Sequence, residues 1–430
     1  MRNFLLAFSI LLIGILPCYS QNSRKLICAI RNDTDLNKVQ NNALILLKGF
    51  SAGTSYSEVW IRDFNTFIAG SLKVHSKDEV ANMLLMFFKS QGSDGNIVDG
   101  LVDSAKASGG YNYRYSKLLP GWAGHKNTVE TDQESSLVQA VTKYIELTGD
   151  TSFLSERIAE RTVYACMESA LNYIITERWS SKYQMVVGAT TIDWGDVQPE
   201  TGWGVAINEH TKWSIDIYDN AMFAIAIQDF LKIKPPGYQL NRDWSKVVRN
   251  LRSNVRQYLW NPSEKKYKPH IYLDGSPFLA SLNEPAMLYS GGSICAILAG
   301  FNTPAEVYEI NRQLVAASTK EKFATIGMTV YPPYPVDAYP NMPPFTYQNS
   351  GDWTWFGGRM INALLAYGYV TEAYRELEPM VQRVIKYHGF YEWYNVQTGE
   401  PKGSGNFRGE AGVLYEAIQS VKDWSAKQDK

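Results

Sequence analysis

Apolar residues recur every three or four positions along most of this chain, which is the spacing that one face of an amphipathic helix requires. Between Asp33 and Gly49, for example, Leu36, Val39 and Leu47 fall on one stripe, and the glycine ends it. The same periodicity predicts about twelve helices, at residues 33–49, 61–72, 78–90, 132–148, 156–177, 216–231, 244–259, 286–298, 304–316, 353–366, 371–387 and 410–421. We therefore expect an all-α protein.

The connections between the expected helices alternate between short and long. Tight turns such as residues 147–150 and 300–303 suit antiparallel neighbours. Residues 92–130, 188–214 and 326–351 are instead long connections rich in Gly, Pro and Trp. This alternation predicts helical hairpins closed into an (α/α)6 toroid, with the long connections on one face around a central cavity. An open helical solenoid is the alternative, but no clean fixed-period repeat supports it.

The first 20 residues have the pattern of a secretory signal peptide. Arg2 supplies a positive charge, an apolar run follows, and small residues end at Ser20 before a cleavage site. Residues 21–430 would then be exported to the periplasm or the extracellular space, and without an interior linker they are expected to form a single domain. A lipid anchor on Cys18 is the alternative, which the preceding proline disfavours. No later apolar stretch is long enough to predict a membrane span.

The charge balance and the few cysteines and histidines argue against nucleic-acid binding, a disulfide framework and a metal site. With 42 basic and 43 acidic side chains and no basic stripe, nucleic acid is not an expected partner. Three cysteines follow the leader, Cys28, Cys166 and Cys295, so at most one disulfide can form, and buried free thiols are favoured. No Cys or His cluster has metal-ligand spacing, so no metal and no other cofactor is expected.

The most informative segments are two acidic ones surrounded by aromatic residues. One contains Asp193-Trp194-Gly195-Asp196 and the other contains Tyr391-Glu392-Trp393. Apolar sugar faces stack on aromatic rings while sugar hydroxyls bind carboxylates. In addition, two carboxyl groups, one protonated and one ionised, can cleave a glycosidic bond. Surface acids on amphipathic loops are the alternative interpretation.

Three expected helix starts carry further residues suited to a sugar site. These residues are Trp60, Arg62 and Asp63 at the first start, Asp132 at the second, and Asn349 and Trp353 at the third. An Arg-Asp pair can bind vicinal hydroxyls through paired hydrogen bonds, although a surface salt bridge would have the same sequence. The acid of the second start can equally be a helix cap, and the Trp of the third can equally belong to the core.

Five short motifs occur in a characteristic order along the chain. They are Arg62-Asp63-Phe64, Ile192-Asp193, Asn220-Ala221, Asn349-Ser350-Gly351-Asp352-Trp353 and Tyr391-Glu392-Trp393-Tyr394-Asn395. In this order they resemble motifs of the (α/α)6 inverting glycosidases, namely neutral/alkaline invertases, the glucosidase domain of glycogen debranching enzymes and, more distantly, trehalases. Where the invertases follow the acid with Arg-Arg, this chain has Trp194-Gly195, so the resemblance does not point to sucrose.

The resemblance implies a glycoside hydrolase that acts on an α-linked glycoside with inversion at the anomeric carbon, and the leader at residues 1–20 adds the expectation of export. A deep cavity bordered by long connections favours removal of one terminal sugar over cleavage within a glycan chain. Asp193 would be the general acid and Glu392 the general base, with about 6.5–9.5 Å between the two carboxyl groups for the attacking water. Asp196 is the alternative acid. The oligosaccharide or glycoside would be bound by Trp60, Arg62, Asp63, Asp132, Trp194, Asp196, Asn220, Asn349, Trp353, Tyr391 and Trp393.

Three other classes of protein share this kind of fold or site. A glycoside phosphorylase would replace the base with a phosphate site, and Glu392 argues against it. A sugar epimerase would need paired catalytic histidines, whereas the five histidines of this chain are scattered. A non-catalytic glycan-binding protein would keep the aromatic residues and bind sugar without turnover.

Overall fold

Helices dominate the computed structural model, which describes residues 24–107 and 112–428. The expected leader at residues 1–20, with Cys18, lies outside the described residues. After helical residues 24–32, the described chain forms the twelve helices α1 Thr34–Leu46, α2 Ile61–Ser71, α3 Lys77–Lys89, α4 Gln133–Thr148, α5 Val163–Glu177, α6 Ile217–Lys232, α7 Trp244–Asn254, α8 Ser290–Leu298, α9 Pro304–Glu321, α10 Thr354–Ala366, α11 Val370–Tyr387 and α12 Arg408–Lys427. Each of them matches a helix that the periodicity predicts, so the all-α expectation is confirmed.

Local sequence explains where several of the helices begin and end. Ser76 opens α3 with a capping box, in which its hydroxyl accepts the Glu79 N–H and the Glu79 carboxylate accepts the Ser76 N–H. Thr303 opens α9 in the same way, and Pro304 occupies the first helical position. Gly149 ends α4 with a φ of 71°, a left-handed conformation that glycine adopts without strain.

Two helices begin later than the periodicity predicts. The helix expected from residue 156 begins at Val163, because the residues before it form a small antiparallel hairpin. The helix expected from residue 286 begins at Ser290, because the two residues before it pair with Val330–Tyr331 from a distant connection. Strand pairs of two residues are too short to leave an alternating pattern in the sequence.

The even-numbered helices form a closed inner ring. Each of α2, α4, α6, α8 and α10 packs against the next member, and α12 packs back against α2. The inner helix α4 is buried almost all round, whereas the outer helix α3 buries only a stripe that includes Val80, Leu84 and Phe87. Because the last inner helix contacts the first one, the chain is an (α/α)6 toroid and not an open solenoid.

Short strands lie in the connections between the helices. In the described residues they are β1 Val59–Trp60, β2 Gly100–Asp103, β3 Tyr113–Arg114, β4 Trp122–His125, β5 Arg157–Ile158, β6 Arg161–Thr162, β7 Trp179–Ser180, β8 Met185–Val186, β9 Gly188–Ala189, β10 Trp213–Asp216, β11 Trp260–Asn261, β12 Lys266–Tyr267, β13 His270–Tyr272, β14 Leu288–Tyr289, β15 Val330–Tyr331, β16 Tyr391–Tyr394 and β17 Pro401–Gly405. The largest antiparallel sheet has the order β1-β2-β4-β3, with Val59 opposite Leu101, and a second has the order β13-β10-β9. The remaining strands form two-stranded ribbons, of which β16–β17 carries Glu392.

The thiols of the described residues are free. Cys28 is exposed, and Cys166 and Cys295 are buried, which agrees with the preference for free thiols over a disulfide. Across residues 24–107 and 112–428, no helix has both the length and the apolar character that crossing a bilayer requires.

Candidate active site

A cavity of about 350 Å³ opens at the end of the toroid where inner helices begin. The first turns of α2, α4 and α10 contribute to its lining, together with residues from all three long connections, 92–130, 188–214 and 326–351. The expectation that these connections surround one cavity is therefore confirmed. The N-termini of inner helices carry partial positive charge, which offsets part of the cost of burying carboxyl groups at this end of the toroid.

Much of the cavity wall consists of aromatic rings. The Trp, Tyr and Phe side chains that line it are Tyr56, Trp60, Trp194, Trp203, Tyr347, Trp353, Trp355 and Phe407. The Trp194 ring makes edge contacts with the rings of Trp353 and Trp355, at centroid distances of 4.7 and 5.5 Å. This mutual packing fixes the orientation of the innermost rings before any ligand binds. Trp203 differs from them because it is 52% exposed.

Carboxyl groups supply most of the charge in the cavity. Those that line it are Asp63, Asp99, Glu130, Asp196 and Glu392. Burial raises the pKa of each of them, in the case of Asp63 and Asp99 to about 7. Repulsion from neighbouring carboxylates adds to this rise, and for Asp99 and Asp196 the neighbour is Asp132 beside the cavity. The Arg62 guanidinium opposes the rise for Asp63, Asp99, Glu130 and Asp196. The cavity therefore contains carboxyl groups that can hold a proton near neutral pH.

Glu392 lies in strand β16 at the edge of the cavity. Its Oε1 accepts a hydrogen bond from the Tyr56 hydroxyl (2.7 Å), and its Oε2 accepts one from the Ser404 N–H (2.8 Å). Burial raises the pKa of Glu392 and the charge of Asp196 adds to the rise, while these two donors lower it. The carboxylate is thus held by donors that favour its ionised form.

Asp193 and Asp196 are close in sequence but occupy different environments. Asp193 has a left-handed backbone (φ 54°), and its two carboxylate oxygens accept the Gly291 and Gly292 N–H groups (2.6 and 2.8 Å) at the start of α8. It is 2% exposed and does not line the cavity, so the expectation that it faces the substrate is corrected: it caps an inner helix. Asp196 does line the cavity, and its Oδ1 is buried without a hydrogen-bond partner among the described residues.

Arg62 and Asp132 form a buried ion pair beside the cavity. Arg62 Nε and Nη2 donate to the two carboxylate oxygens of Asp132 (2.7 and 2.8 Å), and Nη2 also lies 3.0 Å from Glu130 Oε2. The Tyr218 hydroxyl donates to Asp132 at 2.8 Å. Asp132 makes no side-chain capping bond to α4 and does not line the cavity itself, so the sequence-based expectation of a direct substrate contact is corrected. Its carboxylate instead holds Arg62 in place.

Asn220 and Asn349, both expected in the site, lie outside the cavity. The Asn220 side chain accepts the Val186 N–H (2.8 Å) and donates to two backbone carbonyl groups. The Asn349 side chain accepts the Tyr334 N–H (2.8 Å) and also donates to two backbone carbonyl groups. Both residues are 0% exposed, and the amides are committed to holding the backbone, so neither is free to bind a substrate.

Tyr391 and Trp393 flank Glu392, but neither lines the cavity. The Tyr391 N–H donates to the buried Glu410 carboxylate (2.6 Å), and the Trp393 ring lies 6.3 Å from the Tyr347 ring. Both residues therefore position the β16–β17 ribbon. The expected residues that do line the cavity are Trp60, Arg62, Asp63, Trp194, Asp196, Trp353 and Glu392.

Three residues that line the cavity, Tyr56, Asp99 and Trp203, belong to none of the predicted site motifs. Trp203 lies in the connection 188–214, and its position in a Gly- and Trp-rich loop was the signal that could have found it. Tyr56 bonds a carboxylate 336 positions away, and Asp99 accepts the Asn127 N–H across a strand pair. Contacts at such separations leave no local pattern in the sequence.

No family model and no curated protein matches the chain. Several solved structures, however, are similar to the chain in fold. The mannosylglycerate hydrolase of family GH63 from Thermus thermophilus, solved with Tris, superposes with a TM-score of 0.65 at 15% identity, covering 88% of this chain and 99% of that one. The fold is the toroid of six-hairpin glycosidases. A rhamnosidase from Klebsiella oxytoca superposes with a TM-score of 0.59 at 14% identity, covering 90% of this chain and 64% of the rhamnosidase. The family GH78 rhamnosidase of Bacillus sp. GL1 superposes with a TM-score of 0.60 at 13% identity, covering 89% of this chain and 34% of that one.

Proposed function

We propose that this protein is an exported glycoside hydrolase that removes one terminal sugar, from an α-linked glycoside, with inversion of the anomeric configuration. The observation that carries the proposal is that Asp196 and Glu392 line one small cavity whose wall includes eight Trp, Tyr and Phe side chains. Two carboxyl groups and stacking rings are what glycosidic cleavage and sugar binding require. The similar structures support it, since the mannosylglycerate hydrolase has also been solved with glucose and the Klebsiella oxytoca rhamnosidase was solved with rhamnose bound. Export rests on the pattern of residues 1–20.

We assign Asp196 as the general acid and Glu392 as the general base. Glu392 accepts two hydrogen bonds, and these favour the ionised form that a base needs. Burial raises the pKa of both groups, and the Arg62 guanidinium and the Gln348 side chain partly oppose the rise at Asp196. Asp196 is assigned as the acid because its Oδ1 accepts no hydrogen bond among the described residues, which leaves it less support for the ionised form. We do not assign the acid role to Asp193, because both of its carboxylate oxygens accept backbone N–H groups at the start of α8.

In the proposed reaction Asp196 gives its proton to the glycosidic oxygen as the bond from that oxygen to the anomeric carbon breaks. A water molecule attacks the opposite face of the sugar ring, and Glu392 takes one of its protons. The sugar leaves with the hydroxyl group of the water, and the leaving group departs as an alcohol. Proton exchange with solvent then returns Asp196 to its acid form and Glu392 to its carboxylate form.

The dimensions and polar groups of the cavity support removal of a single sugar unit. Its volume of about 350 Å³ lies at the small end of ligand sites, which suits one ring better than a long chain. Asp63 has a buried, unpartnered Oδ1 and lies beside the Arg62 guanidinium. It would accept hydrogen bonds from sugar hydroxyls, while the rings of Trp194 and Trp353 would contact the apolar face.

Two alternatives remain as outcomes of the test. A glycoside phosphorylase needs a phosphate ion next to the sugar, and the carboxyl groups that line this cavity repel phosphate. A non-catalytic glycan-binding protein would bind the sugar in the same cavity without turnover. Hydrolysis is favoured because an acid and a base candidate both line the cavity.

The proposal is tested by screening the purified protein on a panel of aryl glycosides and disaccharides, with and without phosphate, and then comparing three variants. Asp196→Asn and Glu392→Gln should each reduce kcat by about 10²–10⁴-fold while the substrate still binds. Asp193→Asn is the matched control: an amide replaces a carboxylate three positions away, and the folded fraction should keep its activity. NMR of the first-formed sugar should show the anomer opposite to that of the bond cleaved.

Specific results would overturn specific parts of the proposal. Retention of configuration would exclude the inverting mechanism. An inactive Asp193→Asn with an active Asp196→Asn would return the acid to Asp193. Phosphate-dependent cleavage would support the phosphorylase, and binding without turnover on the whole panel would support the glycan-binding protein.

A further inference from the structure

The loop that carries Asp196 continues into the mouth of the cavity. We call residues 196–205 the acid loop; it includes Asp196, Trp203 and Val205, all of which line the cavity. A general acid must reach the glycosidic oxygen, which departs with the leaving group. Residues that follow Asp196 and line the same cavity are therefore the candidates for contact with the leaving group.

The acid loop is held in place by hydrogen bonds. Within it, the Gln198 N–H donates to the Gly204 carbonyl (3.1 Å). Asn341, from another long connection, donates through Nδ2 to the carbonyls of Gln198 (3.2 Å) and Gly202 (2.9 Å). The Val205 carbonyl accepts the N–H of Val129. Three connections are thus tied together around the mouth, so the position of Trp203 is defined by the fold.

Trp203 presents an indole surface at this mouth. The residue is 52% exposed although it lines the cavity, and its ring lies 5.8 Å from the Tyr347 ring at an angle of 42°. The other cavity tryptophans pack into the core or against one another. An exposed indole beside an acid is a stacking surface for the apolar face of a bound group.

The charges around the cavity select against an anionic leaving group. The Arg62 guanidinium is already bound to Asp132 and Glu130, and Lys126 is engaged with the Ile97 carbonyl and the Gln133 amide (2.8 and 3.1 Å). His125 also lines the cavity, and burial lowers its pKa to about 4, which leaves the ring neutral at pH 7. Among the described lining residues, the charge of Arg62 is therefore already balanced by carboxylates and His125 is neutral, so no unpaired positive charge remains to bind an anionic leaving group.

We propose that the acid loop forms the leaving-group subsite, with Trp203 as its stacking surface, and that this subsite takes an uncharged leaving group with an apolar face, such as a second sugar. The inference deepens the proposed function and rests on it. It adds a specificity residue, Trp203, and excludes leaving groups that carry a carboxylate.

The test compares substrates that share a sugar but differ in the leaving group. For the sugar that the panel identifies, kcat/KM is measured on the disaccharide and on the glycosyl fluoride, whose leaving group is too small to stack. Trp203→Ala should lower the ratio of disaccharide to fluoride kcat/KM by about 3- to 10-fold, and Trp203→Phe should restore most of it. Tyr308→Ala is the control, because this aromatic residue is also exposed (45%) but lies on α9 outside the cavity lining.

A second arm tests the charge. The glycerol glycoside of the same sugar should be hydrolysed with a kcat/KM at least about tenfold above that of the glycerate glycoside, because the glycerate carboxylate would lose its hydration without an unpaired cation to replace the water. An unchanged ratio in Trp203→Ala, or equal turnover of the glycerate glycoside, overturns the inference while the hydrolase assignment stands. If no panel member is hydrolysed, binding of the panel disaccharides is measured by calorimetry. Weaker binding of a disaccharide by Trp203→Ala than by the wild type would keep the stacking subsite and reject the hydrolase. Equal binding, or no binding to either protein, would reject both the subsite and the hydrolase.

Discussion

At the scale of single residues, Asp193 and Asp196 show how two nearby carboxyl groups acquire different functions. The left-handed backbone at Asp193 brings its carboxylate to two backbone N–H groups of α8, while Asp196 borders the cavity. The N-cap residue of α8, Tyr289, provides no side-chain capping bond. Asp193 therefore supplies from outside the helix the acceptors that α8 lacks.

We expect Asp193→Asn to lower the free energy of unfolding by about 1–3 kcal/mol, although burial raises the pKa of Asp193, because two backbone N–H groups depend on its carboxylate oxygens. The amide NH₂ cannot accept a hydrogen bond, so it would face one of the Gly291 and Gly292 N–H donors and leave it unsatisfied. Denaturant unfolding of the variant and of Asp196→Asn should separate the two residues. A fully stable Asp193→Asn would contradict the capping role.

The buried carboxyl group of Asp63 should make the free energy of unfolding depend on pH. Its pKa is raised to about 7 by burial, so the folded protein favours the protonated form. The stability that this preference contributes is fully present below the unfolded pKa, near 4, and is lost as the pH rises through about 7. We expect Asp63→Asn, which cannot ionise, to gain stability relative to the wild type between pH 4 and pH 8, by up to about 4 kcal/mol.

The measurement for Asp63 is urea unfolding of both proteins at a series of pH values. Asp274→Asn, in an exposed turn, serves as the control and should show no such pH-dependent gain. A constant difference between Asp63→Asn and the wild type across this range would mean that Asp63 ionises normally in the folded protein. The same variant should lose activity, because the carboxylate that makes the fold less stable at neutral pH is the one proposed to bind sugar hydroxyls.

At the scale of elements, the β16–β17 ribbon positions the proposed base through a close backbone approach. Gly403 has a φ of 66°, and a Cβ at this position would lie 2.4 Å from Glu392 Oε2. Gly399, in the turn of the same ribbon, has a φ of 71°, but a Cβ there would have no other atom within 4 Å. Comparing alanine variants of the two glycines therefore distinguishes the effect of backbone strain, which both share, from displacement of Glu392, which only the Gly403 variant causes.

We expect Gly403→Ala to lower kcat by about 10- to 100-fold, since small misplacements of a catalytic group carry penalties of this size. Gly399→Ala should share the strain of a positive φ, about 1 kcal/mol or more of stability, and keep its kcat. Kinetics and thermal unfolding of the pair provide the test. Equal kcat values in the two variants would show that the ribbon tolerates a shifted Glu392.

At the scale of the whole molecule, the toroid closes where α12 meets α2. A Cβ on Gly412 of α12 would lie 2.2 Å from the Cβ of Phe67 in α2, so only glycine allows this approach. In an ordinary helix interior, Gly→Ala is stabilising by about 1 kcal/mol. We expect Gly412→Ala to be destabilising instead, by about 1–3 kcal/mol, because the closed ring cannot open to accept the methyl group.

Denaturant unfolding of Gly412→Ala provides the measurement, with Ser420→Ala on the same helix as a control that should change stability by less than about 0.5 kcal/mol. A ring closed in this way should also unfold in a single transition, which would support the expectation that residues 21–430 form one domain. A stabilised Gly412→Ala would show that the two helices are free to separate, and two resolved transitions would argue for two domains.

The sequence by itself determined the helices and their order, because an amphipathic stripe and its caps are local properties. The runs 78–90 and 304–316, with their Ser and Thr caps, reappear as α3 and α9. The sequence also located the two aromatic–acidic segments that border the cavity, because clustered Trp and Asp residues in a loop are visible without a fold.

Only the tertiary structure decided which of those residues reach the cavity. Asp193 and Asp196 differ because Gly291 and Gly292, about 100 positions away, bind one of them. The Asn349 side-chain amide is hydrogen-bonded to the backbone of a Pro-rich connection. Tyr56 contacts Glu392 only because the closed ring brings the two ends of the chain together. Such contacts depend on which long connection lies beside which, and no periodicity or local propensity encodes that proximity.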